Sequence, residues 1–313
     1  MSQTRLRRAL AAAGIAGVLA LALPATSAAL PVTYNSIAAG QALLRGPDSP
    51  PPGANDWACK PTAAHPRPVV LVHATGVNMG LNWNAVSPLL KNHGYCVFAF
   101  NYGHTAISLG IIGGLTPLAQ SEQVLADFVE TVRTRTGAPK VDLVGHSQGG
   151  LLVRAYSLRA GRDKVGAVVG LAPNTRGTTL NGIATAGRAL RTFVPWLTEP
   201  IYAALGSGAP GLLDQQTFSP YVQGVNALGE TAPGIRYTMI STKYDTVVTP
   251  FRSQALNAPN ATNIVVQSAC SLDYVDHVAI AFDSIALRLM LNGLDPSTAR
   301  RPGCRFITPY IGG

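Results

Sequence analysis

The sequence has few charged residues and no concentrated block of either sign. Lysine, arginine, aspartate and glutamate make up only 12% of its 313 residues, whereas hydrophobic residues make up 47%. It has no run of lysine and arginine and no ladder of interleaved aromatic residues, so nucleic-acid-binding proteins are excluded. The apolar content supplies a large core, which excludes general disorder and fits one folded domain.

The chain also lacks an early apolar run that could span a membrane. Residues 9–23 are apolar but short for a hydrocarbon core of about 30 Å. They follow Arg5, Arg7 and Arg8 and precede small residues through Ala29. This order predicts a signal peptide over residues 1–29, a secreted protein, and no integral membrane segment in the mature chain. The arginine pair leaves both twin-arginine and general export open. Removing the leader takes three arginines and no acidic residue, which leaves 21 basic against 15 acidic side chains, a net charge of +6.

Cysteine is scarce as well. The four cysteines are Cys59, Cys96, Cys270 and Cys304, and the sequence has no CxxC element, so a zinc cluster is not expected. An even set in an exported chain predicts two disulfides, for which three pairings exist. We favour Cys59 with Cys96 and Cys270 with Cys304, because each bond would tie a terminal segment to a nearby core strand. Each disulfide would contribute about 3 to 4 kcal/mol.

Beyond an arm rich in proline, glycine and asparagine, apolar β-branched runs alternate with helical patterns. The predicted strands are 68–73, 95–101, 141–145, 165–171, 235–241 and 263–267, and the predicted helices are 83–91, 117–134, 148–160 and 278–291. Strands that are apolar on both faces and alternate with helices indicate a mostly parallel sheet flanked by helices. We therefore predict a single α/β domain over residues 30–313.

Two stretches rich in glycine, proline and apolar residues, 103–118 and 177–221, interrupt this alternation. Irregular segments of such length in a compact domain are usually functional or mobile. Segment 177–221 is therefore predicted either as a cap or lid over a lipophilic pocket or as a buried helical excursion that only packs.

The segment LVGHSQGGLL places a serine between glycines at the junction of a predicted strand and a predicted helix. Gly145, His146, Ser147, Gln148 and Gly149 would form a sharp turn, in which side chains at 145 and 149 would collide with the neighbouring strand and helix. Such a turn exposes a hydroxyl at a helix N-terminus, so Ser147 is the predicted nucleophile. His146 is expected to pack or hydrogen-bond within the turn.

A nucleophilic serine needs a base, and of the six histidines only His277 follows Ser147. In a nucleophile-elbow fold the chain order is serine, acid, histidine. Asp245 is the predicted acid because it follows a predicted strand, at the sheet edge where catalytic groups gather. Asp273 and Asp276 are the competing acids, although both would have to fold back within the short loop that they share with His277.

The oxyanion that forms during acyl transfer needs at least two preorganised N–H donors. One is expected from the backbone of Gln148, directly after the nucleophile, and the other from Thr75 in the segment HATG after the first core strand. An ordinary strand-to-helix connection is the alternative interpretation of that segment. The chemistry requires no metal and no organic cofactor, and no ligand pattern argues for a bound calcium ion.

The residues just described resemble the α/β-hydrolase superfamily, and specifically the secreted bacterial class 2 triacylglycerol lipases. The resemblance covers residues 57–296 and rests on VLVHATG, GYCVFAFNYG, VDLVGHSQGG, VGLAPNTRGT, YTMISTKYDTVVTP and a late DH. It implies an α/β-hydrolase fold and the same functional residues: a triad of Ser147, Asp245 and His277 and an oxyanion hole formed by Thr75 and Gln148. The family more often has glycine where this chain has Ala74, whose methyl group would narrow the approach to that hole.

The resemblance implies a secreted carboxylic ester hydrolase that acts on lipid or small ester substrates, with a triacylglycerol lipase as the first expectation. A carboxylesterase, a polyester hydrolase, or an acyltransferase whose acyl-enzyme is intercepted by an alcohol would use the same triad. A non-catalytic binding protein on this scaffold is the alternative from another class. The moderate positive charge permits weak, transient contact with a lipid interface.

Overall fold

A computed structural model describes residues 28–193 and 195–313. The predicted leader lies outside the described residues except for its last two. The strands are β1 (Val69–Val72), β2 (Val97–Ala99), β3 (Val141–His146), β4 (Val165–Leu171), β5 (Arg236–Ser241) and β6 (Ala261–Val265). The helices are α1 (Ser36–Ala39), α2 (Met79–Asn82), α3 (Val86–Asn92), α4 (Leu118–Thr136), α5 (Gln148–Arg159), α6 (Ile183–Phe193), α7 (Pro195–Gly208), α8 (Pro210–Asp214), α9 (Pro220–Ala227), α10 (Val266–Ala269) and α11 (Ser284–Leu294).

These strands form one parallel sheet in the order β2-β1-β3-β4-β5-β6. The chain runs from β1 outward to β2 and then returns to β3 on the other side of β1. Such a reversal of strand order opens a crevice at the carboxyl ends of the two strands between which it occurs, where ligands bind in open α/β sheets. The predicted α/β architecture is confirmed, and the crevice lies between the ends of β1 and β3.

Each face of the sheet packs a separate core. Along β1, Val69 and Leu71 belong to one core, whereas Val70 and Val72 belong to the other, as expected for side chains that alternate across a strand. Helices α3 and α11 close the first core, and α4, α5 and α9 close the second. Burial on both faces explains why the strands appear in the sequence as nearly continuous apolar runs.

Several predicted elements are wrong in extent, and the strand predicted over 95–101 covers only Val97–Ala99. The helix predicted from residue 83 begins at Val86. This start places Pro88 in the first turn, where its missing N–H is tolerated. The last helix begins at Ser284 rather than 278, since the Asp283 side chain caps it by accepting two backbone N–H groups. Strand β6 ends at Val265, where a short helix turns the chain away from the sheet.

Disulfides join Cys59 to Cys96 and Cys270 to Cys304, with Cα separations of 5.7 and 5.0 Å, which is the pairing favoured from the sequence. The first bond anchors the N-terminal arm beside β2, and the second anchors the C-terminal tail beside α10. Within the described ranges, no helix is both long and apolar enough to cross a bilayer.

Candidate active site

The turn between β3 and α5 holds Ser147 in a backbone conformation that most residues avoid, with φ 55° and ψ −119°. Its flanking glycines leave no room for a side chain. A Cβ on Gly145 would lie 2.4 Å from the Gly149 carbonyl oxygen, and one on Gly149 would lie 2.0 Å from the Val72 carbonyl oxygen. The close approach of β1, β3 and α5 therefore requires glycine at both positions, and it presents the serine at the helix N-terminus.

Three side chains from distant parts of the chain meet above this turn. The Ser147 hydroxyl lies 2.9 Å from His277 Nε2, and His277 Nδ1 lies 2.8 Å from Asp245 Oδ2. All three are buried. Asp245 follows β5, and His277 lies in the loop between α10 and α11, so that both reach the carboxyl edge of the sheet. This geometry lets the serine hydroxyl donate to the imidazole while the imidazole donates to the carboxylate.

The carboxylate of Asp245 is also fixed in place from behind. Its Oδ1 accepts the backbone N–H groups of Val247 and Val248 at 2.8 and 2.7 Å, and its Oδ2 accepts the Gln254 side-chain amide at 2.8 Å. Each of these donors stabilises the ionised carboxylate and limits its rotation. The acid therefore presents one oriented oxygen to His277.

The two competing acids have other partners. Asp276 accepts the backbone N–H of Ala279 at 3.1 Å and that of Tyr310 at 3.0 Å, so it organises its own loop and the C-terminal tail. Asp273 accepts the Val275 N–H at 2.8 Å. Among the three candidates, the structure brings only Asp245 to His277 within hydrogen-bond distance.

The predicted oxyanion donors lie on either side of a glycine that the sequence analysis did not single out. A Cβ on Gly114 would lie 2.9 Å from Thr75 Cα and 2.8 Å from Gln148 Oε1. Gln148 is the first residue of α5, where a backbone N–H has no partner within the helix. The site thus brings Thr75 and Gln148 together against segment 103–118, the first of the two stretches that interrupt the strand-helix alternation.

Backbone bonds from this segment brace the loop that carries Thr75. Gly76 N–H donates to the Gly113 carbonyl at 2.9 Å, and Gly113 N–H donates to the Val77 carbonyl at the same distance. The Gln148 side chain in turn donates to the Gly114 carbonyl at 3.0 Å. These contacts join residues far apart in sequence. The glycines at 113 and 114 are the only feature of the sequence that could have indicated such a close approach.

Two buried histidines flank the site without reaching Ser147. His73 Nδ1 lies 2.8 Å from the Ala74 carbonyl, and the His73 ring stacks on Tyr102 with centroids 4.2 Å apart. Burial lowers the pKa of His73 to about 4, so this ring is neutral near pH 7. His146 lies beneath His277 and contacts its backbone carbonyl. Both histidines contact the backbone of neighbouring loops and not the hydroxyl of Ser147.

The backbone N–H of Ala74, within the predicted oxyanion segment HATG, already has a hydrogen-bond partner. That N–H donates to Asn82 Oδ1 at 2.9 Å, so it does not point into the site as a free donor. The Ala74 side chain forms part of the wall of the adjoining cavity. Thr75 is therefore the better-placed donor in this loop.

An apolar cavity of about 730 Å³ opens onto Ser147 and His277. Cavities of this size are typical of small-molecule sites. Its walls combine residues from loops that follow the strands, from segment 177–221 and from the N-terminal arm, among them Leu81, Val248, Phe282, Leu180, Ile183, Leu205, Leu213, Ser36 and Ile37. The contribution of Ser36 and Ile37 from the N-terminal arm was not predicted, because nothing in that stretch signals a pocket wall.

Segment 177–221 forms three helices, α6 to α8, and the start of α9 over this cavity. Several of its large apolar side chains face solvent: Trp196 is 75% exposed and Ile201 is 59% exposed. Ile201 and Tyr202 also line the cavity. A buried excursion that only packs would hide these groups, and here they are exposed.

The C-terminal tail holds the loop that carries His277. Tyr274 N–H donates to the Ile307 carbonyl at 3.2 Å, and Ile307 N–H donates to the Leu272 carbonyl at 3.3 Å. The Cys270–Cys304 disulfide closes this arrangement just before the paired residues. The tail therefore holds the loop that carries His277 through two backbone hydrogen bonds and one disulfide.

In the described part of the chain, no group of three or more histidine, cysteine, aspartate or glutamate side chains is arranged to hold a metal ion. The candidate site is thus composed of a serine, an imidazole, a carboxylate and backbone donors. These groups are suited to acyl transfer through a covalent intermediate.

Comparison with known proteins gives a consistent result. A family model described as "Lipase (class 2)" matches residues 66–289. Curated triacylglycerol lipases from Pseudarthrobacter phenanthrenivorans and Burkholderia plantarii are each 38% identical over 97 residues, which is 29% of this chain and 28% and 25% of those proteins. The chain therefore matches only about a quarter of the length of these curated relatives.

Solved structures share the architecture. Aspergillus fumigatus lipase B aligns with a TM-score of 0.59 at 17% identity, covering 83% of this chain and 58% of that chain. Alpha/beta hydrolase domain-containing protein 10 from mouse aligns with a TM-score of 0.50 at 16% identity, covering 76% and 91%. At such low identity these likenesses establish the α/β-hydrolase fold alone.

Proposed function

Because the chain belongs to the class 2 lipase family, we propose that it is a secreted serine hydrolase that cleaves carboxylic esters, with triacylglycerols as its first substrate class. The observation that carries the proposal is the chain of two hydrogen bonds, of 2.9 and 2.8 Å, from Ser147 through His277 to Asp245 at an apolar cavity. Curated relatives bearing the name triacylglycerol lipase support the choice of substrate.

In the proposed mechanism Ser147 Oγ attacks the ester carbonyl carbon while His277 Nε2 takes the hydroxyl proton. Asp245 stabilises the resulting imidazolium. The oxyanion accepts the backbone N–H groups of Thr75 and Gln148. His277 then gives its proton to the leaving alkoxide as the carbon–oxygen bond breaks, which leaves an acyl-serine.

Water completes the cycle by the same steps. His277 removes a proton from a water molecule that attacks the acyl carbonyl, and the second tetrahedral intermediate uses the same two N–H donors. The ester bond to Ser147 breaks, and its oxygen recovers a proton from His277. The free acid leaves, and no cofactor enters the balance.

The cavity supports a substrate with long apolar chains. Its lining is mostly aliphatic, and burial of each methylene group contributes about 0.8 kcal/mol. Exposed Ile201 of α7 borders the same cavity, and exposed Trp196 lies on the same helix, so we propose that 177–221 acts as a cap that makes transient contact with a lipid surface. Export through the predicted leader would place the two disulfides in an oxidising compartment.

The test is a panel of esters offered to the purified mature chain, from acetate to long acyl groups and emulsified triacylglycerols. We expect preference for long acyl chains and a rise in rate above the solubility limit of the substrate. Activity lost beyond about butyrate would indicate a carboxylesterase and contradict the lipase assignment. Transfer of the acyl group to added alcohols in place of water would indicate an acyltransferase.

The control for that panel is Ser147→Ala. It should lower kcat by about 10⁴-fold or more while the protein stays folded, because the nucleophile is missing. Normal turnover by this variant would refute the nucleophile assignment, and an unaltered chain without turnover of any ester would favour a binding protein on a hydrolase scaffold.

A further inference from the structure

The imidazole of His146 lies between the two loops that the proposed reaction needs. Its Nε2 lies 3.0 Å from the carbonyl oxygen of His277, and its Nδ1 lies 3.1 Å from Asn82 Oδ1. Asn82 Oδ1 also accepts the Ala74 N–H at 2.9 Å. One buried ring thus contacts the backbone of the base and, through Asn82, the loop that carries the oxyanion donor.

A neutral imidazole has a single N–H, whereas two oxygen acceptors face this ring. The charged groups and titratable rings around it are His277, Asp245 and His73. Burial, followed by the neighbouring charge of His277, lowers the pKa of His146 to about 3, so the ring carries one proton near pH 7. Only one of the two oxygens can therefore receive a hydrogen bond from it.

The position of Asn82 indicates which oxygen receives the proton. Asn82 Oδ1 already accepts a backbone N–H, and Asn82 Nδ2 is buried without a hydrogen-bond partner in the described part of the chain. The Ala74 N–H already occupies one lone pair of the Asn82 oxygen, so the imidazole proton gains more at the His277 carbonyl. The N–H is expected on Nε2, and the unprotonated Nδ1 then makes no hydrogen bond to Asn82 Oδ1.

We propose that His146 is a positioning residue for the base: its Nε2–H holds the His277 carbonyl, and its ring sets the distance between the base loop and the Asn82–Ala74 side of the oxyanion loop. The inference rests on the proposed function, because positioning matters only if His277 acts on Ser147. A shift of the base by 1 Å is enough to lower a catalytic rate about 100-fold.

The variant that removes the bond and keeps the ring is His146→Phe. Loss of a buried hydrogen bond to the base loop should lower kcat by about 10- to 100-fold on a soluble ester. KM should stay within twofold, because the phenylalanine ring keeps the part of the cavity wall that the His146 ring forms. His146→Gln, which retains a side-chain N–H donor, should recover at least a third of the lost rate on a logarithmic scale.

The matched control is His93→Phe. His93 makes the same kind of contact, with Nδ1 2.8 Å from the Leu89 carbonyl, but it follows α3 away from the site. Its substitution should leave kcat and KM unchanged. Equal kcat for unaltered and His146→Phe proteins would overturn the positioning role, and so would equal losses in the two phenylalanine variants.

A second measurement does not depend on folding of a variant. The ring nitrogen chemical shifts of His146, assigned by comparison with His146→Gln, should show a protonated Nε2 and an unprotonated Nδ1 at pH 7. A proton on Nδ1 would leave the His277 carbonyl without this donor and overturn the inference, even if the protein hydrolyses esters. An unaltered protein that hydrolyses no ester would overturn the proposed function together with the positioning role.

Discussion

The nucleophile turn and the cap border the same cavity, yet they are built in opposite ways. Around Ser147 the polar groups are buried and paired, and a Cβ on Gly149 would strike the Val72 carbonyl at 2.0 Å. In α7, Trp196 is 75% exposed, and a Cβ on Gly206 would meet nothing within 4 Å. The difference indicates that the residues proposed to react are held by close packing, whereas the surface proposed to admit substrate is apolar and loosely packed.

The largest expected effect is on kcat, when the acid beside His277 is replaced. Asp245→Asn should lower kcat by about 10⁴-fold, because the amide cannot stabilise the imidazolium of His277 or hold its tautomer. Asp276→Asn, one residue from the base, should lower kcat by no more than about tenfold, since it only supports the loop. Steady-state kinetics on a soluble ester would check both, and similar losses would contradict the choice of acid.

The two disulfides allow the same comparison, because Cys270–Cys304 lies beside the loop that carries His277, whereas Cys59–Cys96 lies beside β2. Each encloses a similar length of chain, with sequence separations of 37 and 34, so the loss of either should cost about 3 to 4 kcal/mol in the free energy of unfolding. Only replacement of Cys270 and Cys304 by serine should also lower kcat at a temperature where both variants are folded. Equal kcat in the two variants would contradict the role assigned to the C-terminal tail.

Glycine substitutions measure the difference in space directly. Gly149→Ala should destabilise the fold by about 3 kcal/mol, because its methyl group meets the backbone of β1. Gly206 lies on the open surface of α7. Gly206→Ala should therefore stabilise the protein by about 0.5 to 1 kcal/mol, because alanine loses less backbone entropy on folding than glycine. Urea unfolding gives both values. Equal destabilisation by the two variants would contradict the difference in packing between the turn and α7.

The smallest effect is expected at the cap surface. Trp196→Ser should change the free energy of unfolding by less than about 0.5 kcal/mol, because the side chain is mostly exposed. On an emulsified ester, however, the rate should fall about tenfold, since less apolar surface can enter the lipid phase. Leu228→Ser, at an exposed apolar position beyond α9, is the control. A tenfold loss on soluble ester as well would argue against interface contact.

The sheet could be predicted from the sequence because strands buried on both faces leave continuous apolar runs, which differ from the helical patterns between them. The serine turn could be predicted because its glycines mark a steric demand within five residues. His277 followed from chain order alone, since no other histidine comes after Ser147. These features are local or depend only on order, so one sequence contains them.

Contacts between distant residues of ordinary types could not be predicted. Gly114 packs between the two oxyanion residues, Asn82 accepts the Ala74 N–H, and Ile37 lines the cavity from the N-terminal arm. None of them belongs to a motif, because their roles depend on which segments the fold brings together. The start of α11 was missed for a related reason, as the capping by Asp283 interrupts an otherwise continuous helical pattern.

The central claim is that His277, held by Asp245, makes the hydroxyl of Ser147 a nucleophile. A fluorophosphonate probe followed by peptide mass spectrometry tests it most directly, since the probe reacts with an activated serine. We predict one adduct, on the peptide that contains Ser147, formed by the folded unaltered protein and nearly absent from His277→Ala. Labelling of Ser147 at an equal rate in both proteins, or ester turnover that continues after Ser147 is fully labelled, would contradict the account.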